Sequence, residues 1–268
     1  MKTILDKYEK RDSDVCVNVK GDMGHKYDLR QFYKDLEEFH IVLTDSQAEQ
    51  FLVYYEMLTE KNKVMNLTAI TEFDEVMKKH FLDSLSLVKA FDLHGDGSGI
   101  SLIDIGTGAG FPGIPLKIAF PGMKVTLMDS LNKRVDFLKE VISSLSLCDI
   151  DVIHGRAEDY AKPDQLREKF DLCVSRAVAN LSVLSEYCIP YVKEGGKFIS
   201  YKSEKISEEI KDAEYAITVL GGEIEEQVSF CLPDSDVFRN LFVVKKCSNT
   251  PGKYPRKAGI VSKKPLVR

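Results

Sequence analysis

The six cysteines of this 268-residue chain are scattered, and no two lie closer than 15 residues. That spacing excludes a CxxC pair, a zinc knuckle and the disulfide framework of a small secreted domain. Several sit in apolar runs and read as small buried hydrophobes. The opening stretch, MKTILDKYEKRDSD, lacks the apolar core of a signal peptide. No uninterrupted apolar run is long enough to cross a bilayer. The expected setting is therefore the reducing cytoplasm, with no membrane partner. Asn66-Leu-Thr68 and Asn180-Leu-Ser182 match the N-glycosylation pattern, which carries no meaning without secretion. Acidic residues are absent from 239–268, which holds Arg239, Lys245, Lys246, Lys253, Arg256, Lys257, Lys263, Lys264 and Arg268.

What is present is an ordinary globular composition, 44% hydrophobic and 29% charged. The length suits one domain with an appendage, or two small ones, and can bury a sizeable core. A net charge of −5 argues, taken alone, against a nucleic-acid partner. It is an average over two unlike parts. The basic segment carries +9, and the rest sets 28 basic against 42 acidic residues, or −14. Such asymmetry fits a basic arm with an anionic partner or a solubilising tail. Lys253, Arg256, Lys257, Lys263 and Lys264 are its candidate phosphate contacts, and Tyr254 a candidate ring for stacking on a base.

Residues 1–27 have no helical or strand period and are expected to be a disordered extension, with Met23 an alternative start. Over 28–95 the pattern is helical. Leu29, Phe32, Tyr33 and Leu36 form an apolar stripe. Thr44-Asp-Ser-Gln47 is a capping box ahead of Phe51, Leu52, Tyr55 and Leu58. Thr71-Glu-Phe-Asp74 opens a further helix carrying Val76, Phe81, Leu85 and Val88. After the turn cluster at 94–99, strands and helices alternate over 96–248. Strands are predicted at 101–105, 124–128, 151–154, 171–174, 197–201, 225–232 and 240–245, the last two antiparallel. Helices are predicted at 113–120, 132–147 and 207–220, and Gly195-Gly196 reads as a turn before the fifth strand. Alternation of this kind predicts an α/β fold: a mostly parallel seven-stranded sheet with helices on both faces, an N-terminal helical cap and a basic tail over 249–268.

The strongest motif is Leu102-Ile-Asp-Ile-Gly-Thr-Gly-Ala-Gly-Phe-Pro-Gly113, a strand running through a glycine loop into a helix. Glycines there permit a tight turn and let backbone approach a ligand. Two cofactors compete. Gly108-x-Gly110-x-x-Gly113 with Asp129 matches the dinucleotide fingerprint. Gly106-x-Gly108-x-Gly110 matches the loop of S-adenosylmethionine (SAM) methyltransferases. Asp104, just ahead of the first glycine, discriminates: a carboxylate repels an anionic pyrophosphate and suits a cationic sulfonium and ammonium. Asp129 closes the second strand, where an acid can hold ribose hydroxyls. Gly155-Arg-Ala-Glu-Asp159 follows the third strand, on the adenine side. The sequence thus favours SAM over a nicotinamide oxidoreductase.

These residues resemble class I SAM-dependent methyltransferases with their Rossmann-like sheet, and within them the 16S ribosomal RNA guanine-N7 methyltransferases (the RsmG, or GidB, family). The likeness covers about 28–268. It rests on Asn66-Leu-Thr-Ala-Ile-Thr71, His80-Phe-Leu-Asp-Ser84, Asp104 to Gly113, Asp129-Ser-Leu-Asn-Lys-Arg134, Arg156-Ala-Glu158, Ser175-Arg-Ala177, Tyr254-Pro-Arg-Lys-Ala-Gly259 and Lys263-Lys-Pro-Leu266. The resemblance implies methyl transfer from SAM to a guanine of bacterial 16S rRNA, at position 527 by family. It implies that Gly106 and Phe111 line the SAM pocket, that Ala157 and Glu158 meet the adenine, and that Arg176 lies beside cofactor and substrate. Asp104, Gly108 and Asp129 complete the expected cofactor contacts. The partner is 16S rRNA or the 30S subunit, and a monomer is expected.

Guanine N7 bears a lone pair and no proton, so it needs no general base. The work is alignment of nucleophile, methyl and sulfur. No catalytic side chain and no metal is expected, with Arg176 a substrate-side contact. Ser175-Arg-Ala-Val178 stands where amine methylases carry Asn/Asp-Pro-Pro-aromatic, and Cys173 lies inside a strand and reads as core. His80, Asp83 and Ser84 share a helix face, where they line the substrate side or pack. A small-molecule methyltransferase is the alternative, and for it the basic tail would be decoration.

Overall fold

The apolar residues of the strands alternate, and each set finds its own core. Leu102, Val125, Leu127, Leu172, Val174, Ile199, Tyr201, Leu241 and Val243 bury on one face, among the helices of the N-terminal part. Ile103, Ile105, Met128, Cys173, Phe198, Phe242 and Val244 bury on the other. Burial on both faces is why the strands read as short, nearly continuous apolar runs. The structure is a computed structural model that describes residues 27–176, 179–203 and 207–267. The predicted extension up to residue 26, with Cys16 and Met23, lies outside the described residues, as do Ala177, Val178 and Arg268.

The sheet has seven strands: β1 Ser101–Ile105, β2 Lys124–Asp129, β3 Ile150–His154, β4 Phe170–Ser175, β5 Val192–Lys202, β6 Gly222–Cys231 and β7 Phe238–Lys246. Their spatial order is β3-β2-β1-β4-β5-β7-β6. The first five are parallel, and β7 runs antiparallel between β5 and β6. Chain order reverses between β1 and β4, which opens a crevice at their carboxyl ends.

Helices α1 (Arg30–Glu37) and α2 (Asp45–Met65) begin the cap. The capping box forms as its residues predict: Thr44 Oγ1 accepts from Gln47 N at 3.3 Å, and Thr44 N donates to the Gln47 side chain at 2.8 Å. The next helical stretch starts at Phe73, with Glu72 rather than Thr71 at its N-cap and no side-chain cap bond. It runs from α3 (Phe73–Val76) through a π turn at Met77–Leu82 into α4 (Asp83–Leu85) and a 3-10 turn at Ser86–Lys89. The cap has no core of its own. Phe51, Tyr54 and Phe81 share one apolar cluster with Leu102, Ile114 and Leu127. Among the described residues no helix is long and apolar enough to cross a membrane.

Helices α5 (Gly113–Ala119), α6 (Asn132–Ser144) and α9 (Ser207–Val219) match the predicted segments. Between them lie α7 (Ala157–Tyr160) and α8 (Leu181–Cys188), for which the sequence pattern predicts no helix. Asn180 caps α8, its side chain accepting from Ser182 N at 3.0 Å. The Asn180-Leu-Ser182 triplet is a helix start.

Gly195-Gly196 is not a turn before β5 but an irregularity within it. Phe170 pairs with Val192 and Leu172 with Lys197, so β5 holds extra residues at this point. Gly195 takes φ +82°. A Cβ on Gly196 would lie 2.6 Å from the Asp171 carbonyl oxygen, while one on Gly195 would meet nothing within 4 Å. Gly196→Ala is expected to cost about 1–3 kcal/mol through this backbone clash. Gly195→Ala should cost about 1 kcal/mol through its left-handed φ. Urea unfolding of both variants checks the order.

Candidate active site

The carboxyl ends of β1, β2 and β3 border a cleft of about 510 Å³. Ile105, Gly106, Met128, Asp129, Ala157 and Glu158 line it, joined by Leu131 and Arg134 from the start of α6. Predicted cofactor residues Gly106, Asp129, Ala157 and Glu158 are therefore brought together at one cleft, whereas Gly108, Phe111 and Arg176 are not among its lining residues. Tyr187 of α8 and Gly259 and Ser262 near the chain end also reach the cleft. Spacing within a motif could not have found these, since 58 or more residues separate them from Asp129 along the chain.

Asp104 is not among the residues lining this cleft. It is fully buried beneath the glycine loop. Its Oδ2 accepts from Thr107 Oγ1 at 2.6 Å and from Gly113 N at 2.9 Å, tying the two ends of the loop together. Its Oδ1 has no hydrogen-bond partner. Burial pushes the Asp104 pKa up to about 6, against those two hydrogen bonds and the nearby Arg176 charge. Asp129 supports the loop from the next strand: its Oδ2 accepts from Gly108 N at 3.0 Å and its Oδ1 from Leu131 N at 2.9 Å.

Gly113 has no room for a side chain, because a Cβ would lie 2.3 Å from Leu127 Cδ2. A Cβ on Gly108 would meet nothing within 4 Å. The loop is thus packed from below and open above. The donor set fits SAM. Asp129 at the end of β2 and Glu158 in α7 could accept from hydroxyls and an amine, Met128, Leu131 and Ala157 offer an apolar bed for a base, and a buried carboxylate oxygen is left unpaired under the loop.

Phe111 follows the loop and faces the cap. Its ring stacks on His80 at 4.8 Å between centroids and 13° between planes. The Arg176 guanidinium carbon lies 4.8 Å from the same ring. Tyr54, from α2, packs beside it and donates its hydroxyl proton to the Ala109 carbonyl at 2.5 Å. The same hydroxyl explains Gly110: a Cβ there would approach it to 2.6 Å.

Of the helix-face trio, Asp83 is buried between two arginines. Arg176 Nη1 donates to its Oδ2 at 3.0 Å and Arg239 Nε to its Oδ1 at 2.8 Å. The π turn supplies further acceptors, since the His80 carbonyl takes Ser84 Oγ and lies 3.3 Å from Arg176 Nη1. Such turns widen a helix and free backbone groups near functional sites. His80 Nε2 lies 2.7 Å from Thr68 Oγ1, and Nδ1 lies 3.4 Å from Arg176 Nη2. Arg176 can only donate, so Nδ1 accepts and Nε2 carries the proton. Sequence reasoning missed Tyr54, Thr68 and Arg239 here. Asn66-Leu-Thr68 was the available signal for the second.

The sequence profile described as GidB, rRNA small subunit methyltransferase G, matches residues 47–237. A protein of Lachnoclostridium phytofermentans with the name Ribosomal RNA small subunit methyltransferase G is 54% identical over 241 residues, covering 90% of this chain and 98% of its own length. A relative of that name from Alkaliphilus metalliredigens is 54% identical over 228 residues, covering 85% and 93%. One from Bacillus cereus is 48% identical over 240 residues, covering 90% and 99%. This chain belongs to the rRNA small subunit methyltransferase G family. It is a SAM-dependent methyltransferase.

The basic segment of this methyltransferase is folded onto the body. Lys253, Lys257, Lys263 and Lys264 are exposed. Arg256 instead forms a two-point ion pair with the fully buried Glu186, at 2.9 and 2.6 Å. Tyr254 is not free to stack on a base, because its ring is buried in the apolar cluster that contains Phe198 and Leu184. Cys173 is core, as predicted.

Burial, with the Arg176 charge beside it, lowers the His80 pKa to about 3. His80 is therefore neutral at physiological pH, and its contribution to stability is lost as pH falls from about 6.5 towards 3. Nitrogen-15 correlation spectra between pH 6 and 8 should show one non-titrating Nε2–H tautomer; a midpoint inside that range would refute it. Asp104 has the opposite sign. Its pKa is higher folded than unfolded, so its contribution fades as pH rises from 3.8 to about 6. Melting curves should show the stability of the native chain relative to Asp104→Asn falling across that window.

Proposed function

We propose that the chain methylates N7 of a guanine in 16S rRNA, at position 527 as the family resemblance implies. The observation that carries the reading is an acid-lined cleft reached by Gly106 at the start of the glycine loop, with an arginine cluster on Phe111 just past its end. SAM, when bound, supplies a methyl group made electrophilic by the sulfonium. Asp129 and Glu158 bind the nucleoside half by accepting hydrogen bonds. The glycine loop, held by Asp104 below and Asp129 beside it, presents backbone rather than side chains to the ligand.

Arg176 faces the other side of the loop. Asp83 and Phe111 fix its plane, and that leaves little of its rotamer freedom to be lost on contact with substrate. Guanine N7 offers a lone pair without a proton, so the residues have to orient it and exclude water rather than abstract anything. His80, held neutral, is suited to shaping that side and adds no further positive charge next to a base that becomes cationic on methylation.

The cap over 28–95, the cofactor domain over 96–248 and the basic segment over 249–268 divide the work between substrate, cofactor and RNA backbone in this reading. The exposed lysines Lys253, Lys257, Lys263 and Lys264 supply phosphate affinity without sequence choice. Arg256 acts through the position of that segment. The reaction belongs where ribosomal subunits are made, in the cytoplasm.

Unmethylated 30S subunits or 16S rRNA incubated with methyl-labelled SAM should gain label at one guanine. Borohydride and aniline should then cleave the RNA there, as expected for 7-methylguanosine. Label elsewhere, or none on either RNA form, overturns the assignment. Asp83→Asn should lower kcat at least tenfold by loosening Arg176, while the affinity for S-adenosylhomocysteine stays within about twofold.

A further inference from the structure

The chain end is built into the cofactor site. Thr250 is buried, with its amide donating to Glu168 Oε1 at 2.7 Å and its hydroxyl to the Leu220 carbonyl at 2.7 Å. The buried Lys246 donates to the same hydroxyl at 2.9 Å. Arg167 gathers the carbonyls of Thr250 and Tyr254, the latter at 2.8 Å. Arg256 then reaches Glu186, a carboxylate with 0% exposure. A buried carboxylate left without its partner is costly, so this attachment is strongly specified. Beyond it the chain turns at Gly259, φ +79°, and buries Val261 completely. Between and after these anchors, Gly259 and Ser262 emerge in the lining of the cleft together with Tyr187.

We infer that the segment from Tyr254 to Ser262 is a wall of the cofactor cleft, closing its adenosine end opposite Asp129 and Glu158 through Gly259, Ser262 and Tyr187. The inference rests on the methyltransferase reading above and adds a binding role for a stretch otherwise valued for its charge. Gly259 and Ser262, 130 and 133 residues beyond Asp129 in the chain, join the strand-end residues in lining the cleft. Lys257 and Lys263 flank the two wall residues in sequence and are exposed. The side that would meet RNA phosphate is therefore carried by the same few residues that face the nucleoside.

The test is calorimetric titration of S-adenosylhomocysteine into the full-length protein without RNA. Ser262→Trp places bulk at the exposed lip of the cleft without touching the core, and should weaken binding at least tenfold. Val267→Trp, also exposed and not lining the cleft, should bind within twofold of the native chain. Melting temperatures of both ligand-free variants should match the native one. For a second readout, Arg256→Met releases the anchor without adding bulk, and should weaken the same binding while leaving a cooperative melt. Native-like affinity in Ser262→Trp overturns the wall. Absence of binding by the native chain would instead overturn the methyltransferase reading, and the wall with it.

Discussion

Asp104 lies fully buried at the carboxyl end of β1, and one of its oxygens receives both Thr107 and the amide of Gly113. The loop's shape, the start of α5 and the place of Phe111 all follow from that pair of bonds. Because the loop is drawn down at both ends, Gly106 faces the cleft while Gly110 and Gly113 pack against Tyr54 and Leu127. Because Phe111 sits where the loop meets α5, its ring is delivered to the cap rather than to solvent. Tyr54 then completes the attachment from the far side, through the Ala109 carbonyl. A carboxylate kept this dry holds its proton more firmly than an ordinary one, and the Arg176 charge nearby works in the other direction.

The two sides of the site solve different electrostatic problems. In the proposed reading the cofactor side has Asp129 at the end of β2 and Glu158 in α7, where a neutral sugar and a cationic sulfonium would lie. On the proposed substrate side two guanidinium groups meet a single buried carboxylate, Asp83. Neither arginine there is a free surface charge, and each has one orientation. That is a costly arrangement to bury, and its return is a fixed geometry more than net stability.

Most of the sheet was legible because each strand is short, apolar and bounded by turn residues. The cofactor loop was legible because its chemistry is local in sequence. What escaped reading was non-local or short. Helix α8 spans Leu181–Cys188 and is buried nearly all round, Ser182, Ser185 and Glu186 included, so it shows no amphipathic stripe, and its Asn180 cap looks like a different motif. The role of Asp83 needed Arg176 and Arg239, 93 and 156 residues away. The basic segment misled by composition. Of its nine positive residues, Arg239, Lys246 and Arg256 neutralise internal carboxylates, and charge counting cannot tell a buried partner from a solvated face.

The doubled glycine within β5 reaches further than its position at the sheet's rim suggests. Beyond it, Phe198 turns to one face and Ile199 and Tyr201 to the other, and Tyr201 donates its hydroxyl proton to the Ser84 carbonyl beside the arginine cluster. A strand's side chains change faces with every residue of offset. Length here is therefore constrained: adding or removing one residue within this irregular stretch of β5 would exchange the strand's two faces and unseat the helix that carries Asp83, although nothing near the cleft had been altered.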